Sequence, residues 1–373
     1  MTSLDFETIP EIANEGCGFI PRDFIRHFLG NGKVGQRTCV LQVRIFVPTL
    51  GIFKGVLFEK PAISKIQLPP SMEKVGPSVI EDASDKACLL ITGTFPSSTN
   101  VHVASLLNGQ QPPKSFHVKK ISNMILSVMK ALSVPRNVLS EYADASQASR
   151  GRGLEHSFCV GVADPTNSIP PGHIFVTGVR STAASQENLF VSRFPCTEAA
   201  DGRMLPMVRT KPASMAESDW LWMNDLHFGV VVFGNPLLGC IPLPQTIAGG
   251  DLDGDLYFIC WNKAILISID NSFLEEDMVI DEDKPSKFPE WNESWLQDGQ
   301  DVMRNVKVMY EHHALIGKLY NCMQKAKTSE DALCFGRAYK EAIDIGKHGG
   351  SVKLPARLRE ALSERFHPYL CSK

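Results

Sequence analysis

The sequence predicts a strand-rich α+β protein with a helical C-terminal segment, and three observations support this. Short runs of Val, Ile, Leu and Phe, separated by Pro or Gly, fill the first hundred residues and again residues 154–262. A three- to four-residue apolar period, typical of a helix, separates these two blocks. Helical periods return near 302–324 and 329–345. Strands this short and closely spaced favour barrels or sandwiches over a doubly wound sheet.

The predicted strands follow the apolar runs. In the first block they are TCVLQVRIFV (38–47), GVLFEK (55–60), ISKIQL (63–68) and ACLLIT (87–92). In the second they are SFCVGVAD (157–164), GHIFVTG (172–178), LFVSRF (189–194), MLPMV (204–208), FGVVVFG (228–234) and LYFICW (256–261).

The connecting helix is predicted from apolar residues three or four positions apart: Val118, Ile121, Ile125, Val128 and Leu132. Pro135 ends it, because proline cannot continue the hydrogen-bond ladder. After the second block, the polar, Pro-bearing segment DEDKPSKFPEWNESW predicts a linker. Thr328 or Ser329 is the predicted N-cap of the helix that follows.

Bulk composition excludes several classes of protein. The net charge is −3, and 43% of residues are hydrophobic, as in ordinary soluble globular proteins. The ten cysteines form no CxxC pair, which argues against a zinc site and suits a reducing compartment. With neither a signal peptide nor a membrane span expected, we predict an intracellular protein, nuclear or cytoplasmic, with no membrane partner.

The feature that points to chemistry is IAGGDLDGDLYFICW, in which Asp251, Asp253 and Asp255 occupy alternate positions. Alternate residues of an extended chain project to one side, roughly 6–7 Å apart. Gly254 lets the backbone curl and shortens that spacing. Converging carboxylates raise one another's pKa unless a cation lies among them, and all-oxygen ligands favour Mg²⁺, Mn²⁺ or Ca²⁺ over zinc.

Two other interpretations apply to this motif. A calcium-binding EF-hand needs Gly at the sixth position and Glu at the twelfth, but counting from Asp251 these are Leu256 and Asn262. A plain polar hairpin tip is the second, because Asp and Gly are common turn residues. The glycine pair before the acids and the apolar strand after them favour a metal site that keeps positions open for substrate phosphate.

AGGDLDGDLYFICWN (248–262) resembles the catalytic signature of the eukaryotic RNA-dependent RNA polymerases of RNA silencing. Further matching blocks occur in the family's order: NEGCGFI (14–20), LQVR (41–44), FKGVL (53–57), LPPSMEK (68–74), VGVADPTNSIPPGHIFV (160–176), VSRFPC (191–196) and AIDIGKHGGSVKLP (342–355). The chain departs from the family pattern at Pro69, where arginine is usual. It also departs in CIPLPQTI (240–247), which replaces a basic, His-containing run.

The resemblance implies two double-psi β-barrels facing each other across a cleft. The first would span 1–103, a helical connector 104–153, the second barrel 154–265, and a linker with C-terminal helices 266–373. Asp251, Asp253 and Asp255 would be the catalytic residues and the magnesium ligands, with Mn²⁺ as a possible substitute. Lys54 and Lys74 would neutralise the phosphates of the substrate and RNA. Arg44 and Arg193 lie in matching blocks without an implied contact.

The implied activity is Mg²⁺-dependent joining of ribonucleotides on an RNA template, which makes double-stranded RNA for gene silencing. Its partners would be template RNA, the nascent strand, ribonucleoside triphosphates and silencing-pathway proteins. Two alternatives remain. One is a catalytically weak or inactive RNA-binding scaffold. The other is a fragment of a DNA-dependent polymerase subunit, which shares the DxDGD core but differs in its flanks.

Overall fold

The computed structural model describes residues 5–76, 87–96, 123–147, 155–179, 188–269, 314–323, 325–326, 328–348, 352 and 354–364. The chain divides into two compact units, Met1–Ile280 and Asp281–Lys373. The first unit contains two β-sheets and several helices, and the second contains helices. This arrangement confirms the predicted strand-rich α+β class.

The first sheet has seven strands. They are β1 (Phe6–Thr8), β2 (Cys17–Pro21), β3 (Val40–Val47), β4 (Gly51–Lys60), β5 (Ile66–Leu68), β6 (Glu73–Val75) and β7 (Cys88–Phe95). Their order is β1-β5-β2-β4-β3-β7, and β6 pairs with β4. Most pairs are antiparallel, but β2 runs parallel to β4 and β1 parallel to β5.

The second sheet has six strands. They are β8 (His156–Ala163), β9 (Ile174–Val176), β10 (Asn188–Arg193), β11 (Gly202–Pro206), β12 (Val230–Phe233) and β13 (Leu256–Cys260). Their order is β11-β10-β13-β8-β12-β9, with β8 and β12 parallel. Every predicted run therefore contributes a strand, although the bounds differ by several residues. No run was predicted for β1, β2 or β6 of the first sheet.

The two sheets pack against one apolar core. Cys17 and Val56 of the first sheet belong to the same buried cluster as Val160, Val232 and Ile259 of the second. Central strands are covered on both faces, so four of the five residues of β13 are buried. Such strands read as continuous apolar runs, which is why the sequence located them.

The helices of the first unit are α1 (Arg22–Leu29), α2 (Lys33–Arg37), α3 (Asn123–Ala131), α4 (Arg136–Gln147), α5 (Glu217–Asp225) and α6 (Lys263–Leu266). The predicted connecting helix corresponds to α3, since Ile125, Val128 and Leu132 are fully buried. Val118 and Ile121, the first two residues of that pattern, lie outside the described residues. Helices α1 and α5 lie inside the blocks for which only strands were predicted.

The second unit contains a helical segment at 314–323, α7 (Ser329–His348) and α8 (Ala356–Glu364). Its core includes Leu319, Phe335, Ala338 and Leu358. The Thr328 hydroxyl accepts a hydrogen bond from the Asp331 backbone N–H at 3.1 Å, as the predicted N-cap should. Predicted helical residues 302–313 lie outside the described part of the chain.

Among the described helices, none has the length and apolar character needed to cross a bilayer.

Candidate active site

The three aspartates lie in the loop that leads into β13, and two apolar side chains anchor this loop. Ile247 and Leu252 are 0% and 1% exposed and belong to the core shared by the two sheets. Leu252 occupies the position between Asp251 and Asp253, so the chain alternates between a buried residue and partly exposed acids. Positive φ angles at Ala248 (53°), Gly249 (61°) and Gly254 (127°) produce the sharp turns that the loop requires.

The loop brings the three carboxylates together, since one oxygen of each lies within 4.8 Å of the others. Backbone N–H groups help to hold them. The Asp251 N–H donates to Oδ2 of Asp255 at 3.1 Å, and the Asp253 N–H donates to Oδ1 of Asp251 at 3.3 Å. The Tyr257 hydroxyl donates to the carbonyl oxygen of Asp251 at 2.9 Å.

The segment just before β2 touches this loop directly. The Leu252 N–H donates to the Glu15 carbonyl oxygen at 2.8 Å, and the Gln245 amide donates to the Glu15 carboxylate at 2.9 Å. Gly16 has φ +92°, and a Cβ built on it would lie 2.7 Å from Cβ of Asp253. Only glycine therefore lets the chain before β2 approach Asp253 so closely.

Two cations pair with the second and third members of the triad. Lys54 of β4 contacts the Asp253 carboxylate, and the two side chains are 36% and 17% exposed. Arg193, at the end of β10, pairs with Asp255, and their side chains are 17% and 21% exposed. Nη1 of Arg193 also donates to the Ala248 carbonyl oxygen at 3.0 Å, so this side chain contacts both ends of the Asp loop.

Asp251 has no such cation partner among the described residues. Burial, and then the charges of Asp255 and Asp253, raise its pKa to about 7. Burial also lowers the pKa of Arg193, but the neighbouring Asp255 outweighs this effect and the net change is upward. Without a bound cation, the Asp251 carboxyl therefore holds its proton more tightly than an ordinary aspartate does.

The cluster fits a divalent cation with oxygen ligands. Mg²⁺–oxygen bonds of about 2.1 Å place opposite ligands of one ion roughly 4 Å apart. The observed limit of 4.8 Å is close to that value, and small side-chain rotations would remove the difference. An ion there would also relieve the repulsion that raises the pKa of Asp251.

Of the two lysines predicted for the site, Lys54 contacts the triad and Lys74 does not do so in this structure. Lys74 lies on the exposed strand β6, and its ammonium donates to the Ser71 carbonyl oxygen at 3.1 Å. The Ser71 hydroxyl accepts a hydrogen bond from the Gly16 N–H at 2.8 Å. Lys74 is thus linked through Ser71 to Gly16, the residue that closely approaches Asp253.

Arg193 is the site residue to which sequence reasoning gave no contact. The sequence feature that could have identified it is a charged residue at the end of an otherwise apolar run, within the block VSRFPC. Arg44, the other unassigned arginine, is exposed on β3 and donates to the Val43 carbonyl oxygen at 3.0 Å.

Comparison with known proteins shows which family the sequence matches. The family described as RNA dependent RNA polymerase matches residues 154–369. The chain is 22% identical over 447 aligned positions to Probable RNA-dependent RNA polymerase 3 of Arabidopsis thaliana, with 95% of this chain and 43% of that protein covered. It is also 22% identical to Probable RNA-dependent RNA polymerase 4 of the same plant, with 97% and 46% covered.

Among solved structures, the chain is similar to the RNA dependent RNA polymerase QDE-1 from Thielavia terrestris. The TM-score is 0.54 at 15% identity, with 99% of this chain and 49% of that chain covered. At this identity the likeness concerns the fold. The chain spans about half the length of these proteins.

Proposed function

The chain belongs to the RNA-dependent RNA polymerase family, and from this premise we propose that it joins ribonucleotides on an RNA template with Mg²⁺. The double-stranded product would serve gene silencing. The observation that carries the proposal is the grouping of three carboxylates within 4.8 Å, with Lys54 of a different sheet against one of them. A polymerase needs this combination of acidic metal ligands and a phosphate-binding cation at one point.

Asp251, Asp253 and Asp255 are the proposed Mg²⁺ ligands, with Mn²⁺ as a substitute. When bound, divalent ions activate the 3′-hydroxyl of the growing strand and stabilise the departing pyrophosphate. The aspartates need no separate base for this role. Tyr257 and Arg193 hold the loop by contacting the carbonyl oxygens of Asp251 and Ala248, so they keep the ligands in place.

Lys54 and Lys74 are the proposed phosphate-binding residues. Lys54 is 36% exposed and lies beside Asp253, where it would neutralise the charge of a triphosphate close to the metal ligands. Lys74 is exposed on the strand that pairs with β4. Its mobile four-carbon side chain would contact a longer substrate, either the RNA backbone or the outer phosphates.

We further propose that the two sheets belong to double-psi β-barrels at 1–103 and 154–265. Residues 104–153 would then be the helical connector, and 266–373 the linker with the C-terminal helices. The core that the two sheets share and the close approach of Gly16, just before β2, to Asp253 support this proposal.

The experiment is RNA synthesis on single-stranded RNA with labelled ribonucleotides, at several Mg²⁺ and Mn²⁺ concentrations. Asp253→Ala removes a proposed ligand, and Asp23→Asn is the matched control, since its side chain is 92% exposed on α1. We expect incorporation by the wild type and Asp23→Asn but not by Asp253→Ala. Incorporation that survives Asp253→Ala would contradict the assignment of the triad. Incorporation on DNA templates alone would indicate a DNA-dependent polymerase.

A scaffold that binds RNA without synthesis is the second candidate, and one observation favours it. Lys54 and Arg193 already neutralise two of the three carboxylates, so the cluster needs less help from a metal to remain folded. Binding of single-stranded RNA with no incorporation at any metal concentration, and equal binding by Asp253→Ala, would identify the scaffold.

A further inference from the structure

A second concave site lies at the opposite end of the strands that carry the triad contacts. It is a cavity of about 510 Å³, and it lies between the α1–α2 segment and the turn that joins α5 to β12. Lys54 and Glu59 are five residues apart on β4, which corresponds to about 16 Å of extended strand. The cavity is therefore separate from the Asp loop.

Three guanidinium groups line this cavity, which we call the arginine cavity. Arg22 and Arg26 belong to α1, and Arg37 is the last residue of α2. The side-chain amides of Asn31 and Gln36 are at the same opening. Both amides are exposed and can add hydrogen bonds to a ligand.

The guanidinium groups use only some of their N–H donors in contacts with acidic side chains of the protein. Arg22 uses Nε toward Glu59 at 3.4 Å, and Arg26 uses Nη1 toward Asp23 at 3.9 Å, which is beyond hydrogen-bond distance. The Arg37 side chain has no hydrogen bond or salt bridge to any residue in the part of the chain that the structure describes. Several N–H donors therefore remain available inside one concave surface.

The acids of the cavity do not cancel this charge. Burial raises the pKa of Glu59, which accepts a hydrogen bond from Nε1 of Trp222 at 2.8 Å. Asp225 is the other acid in the lining. Burial, and then Arg37, lower the pKa of His227, so its imidazole is biased toward the neutral form. The lining thus contains three arginines and two carboxyl groups, and its net charge is positive.

We propose that the arginine cavity binds the phosphate group of a nucleotide or of an RNA strand. Guanidinium forks match the oxygens of phosphate in pairs, and arginine is the side chain best suited to that contact. The volume lies within the range of roughly 300–1,000 Å³ found for small-ligand sites. The proposal does not depend on the catalytic assignment, because no residue of the triad takes part.

The experiment is isothermal titration calorimetry of the full chain with inorganic pyrophosphate in EDTA, which prevents metal-mediated binding at the triad. ATP and a hexameric RNA with either a 5′-phosphate or a 5′-hydroxyl are then compared. If ATP binds more tightly than either RNA, the cavity is a nucleotide site. If both RNAs bind more tightly than ATP, it is a site for the RNA backbone. A preference for the 5′-phosphorylated RNA identifies a strand-end site.

The variants are Arg37→Gln, Arg26→Gln and the matched control Arg44→Gln. All three arginines are exposed, and Arg44 lies on β3 outside the cavity lining. We expect Arg37→Gln to weaken pyrophosphate binding about tenfold or more, the scale of a lost charge-assisted hydrogen bond, and Arg26→Gln to weaken it in the same direction. Arg44→Gln should leave the affinity unchanged.

A second measurement requires no arginine substitution. The indole N–H of Trp222 donates to Glu59 at the cavity wall, so its NMR resonance, assigned with Trp222→Phe, should shift on addition of pyrophosphate. Absence of pyrophosphate, ATP and RNA binding in EDTA would overturn the proposal. Equal weakening by Arg37→Gln and Arg44→Gln would overturn it as well, because binding would then follow overall charge.

Discussion

The close approach of Gly16 to Asp253 gives a sharp test of the proposed active site. Gly16→Ala places a Cβ 2.7 Å from Cβ of Asp253, whereas ordinary carbon–carbon contacts begin at about 3.5 Å. Either the segment before β2 or the loop that carries Asp253 must therefore move by about 1 Å. The φ of +92° at Gly16 adds about 1–3 kcal/mol of backbone strain for any other residue.

A displacement of this size has different consequences for metal binding and for chemistry. Loss of ligand orientation costs about 10- to 100-fold in metal affinity. A misplacement of about 1 Å at reacting groups costs on the order of 10²-fold in rate. We expect Gly16→Ala to show both losses while it remains folded.

The assay is Mn²⁺ binding by electron paramagnetic resonance, followed by the incorporation rate on an RNA template. Gly172→Ala is the matched control, because Gly172 has φ +74° but a Cβ there would meet nothing within 4 Å. It shares the backbone strain and lacks the collision. If Gly16→Ala had a Mn²⁺ affinity and an incorporation rate within about twofold of those of Gly172→Ala, the argument would be refuted. A displacement of about 1 Å at Asp253 should lower the rate far more than twofold.

Three further predictions concern the interior, the pH dependence and the metal. Leu252→Ala should lower the free energy of unfolding by about 2–5 kcal/mol, since Leu252 is 1% exposed. Leu238→Ala, at a fully exposed position before the same loop, should change it by less than about 0.5 kcal/mol in urea titrations. Equal effects would contradict the anchoring role. Burial raises the pKa of Glu59 from 4.5, so the folded state holds its proton more tightly than the unfolded state. The Glu59 contribution to stability is then greatest below pH 4.5 and falls as pH rises through the folded-state pKa. Glu59→Gln should remove that fall in urea titrations across pH, and a variant that keeps the wild-type slope would disprove it. Mn²⁺ at about 100 times its dissociation constant should stabilise the protein by about 2.7 kcal/mol. The Mn²⁺ effect should vanish in Asp253→Asn and remain in Asp23→Asn, as read by thermal unfolding with and without EDTA.

The local sequence was sufficient to predict the acid cluster and most of the strands, but not β1, β2 or β6. Strand β13 is buried on both faces, so its apolar run identifies it without knowledge of its neighbours. Asp251 and Asp255 are four residues apart, and an alternating chain with glycine between them brings their carboxylates together by local geometry alone. The Thr328 cap is equally local, since its partner is Asp331.

Helices α1 and α5 show where local reading was less successful. In α1, Phe24, Ile25, Phe28 and Leu29 repeat at four residues, a helical pattern that begins directly after Pro21. The pattern is only eight residues long and follows a buried strand, so the prediction assigned these residues to a strand-rich block. In α5 the apolar residues form no clear face. Its Trp222 instead donates a hydrogen bond to Glu59 of the first sheet.

What the sequence determined by itself is the chemistry that requires only neighbouring residues: alternating acids, buried strands and capped helices. What the tertiary structure decided is which distant charges meet those acids. Lys54 reaches Asp253 across 199 positions, and Arg193 reaches Asp255 because β10 and β13 pair in one register. The arginine cavity likewise joins α1, α2 and the turn before β12. Such contacts depend on strand order and sheet packing, which no local pattern encodes, because a change of one residue in register would turn each side chain to the opposite face.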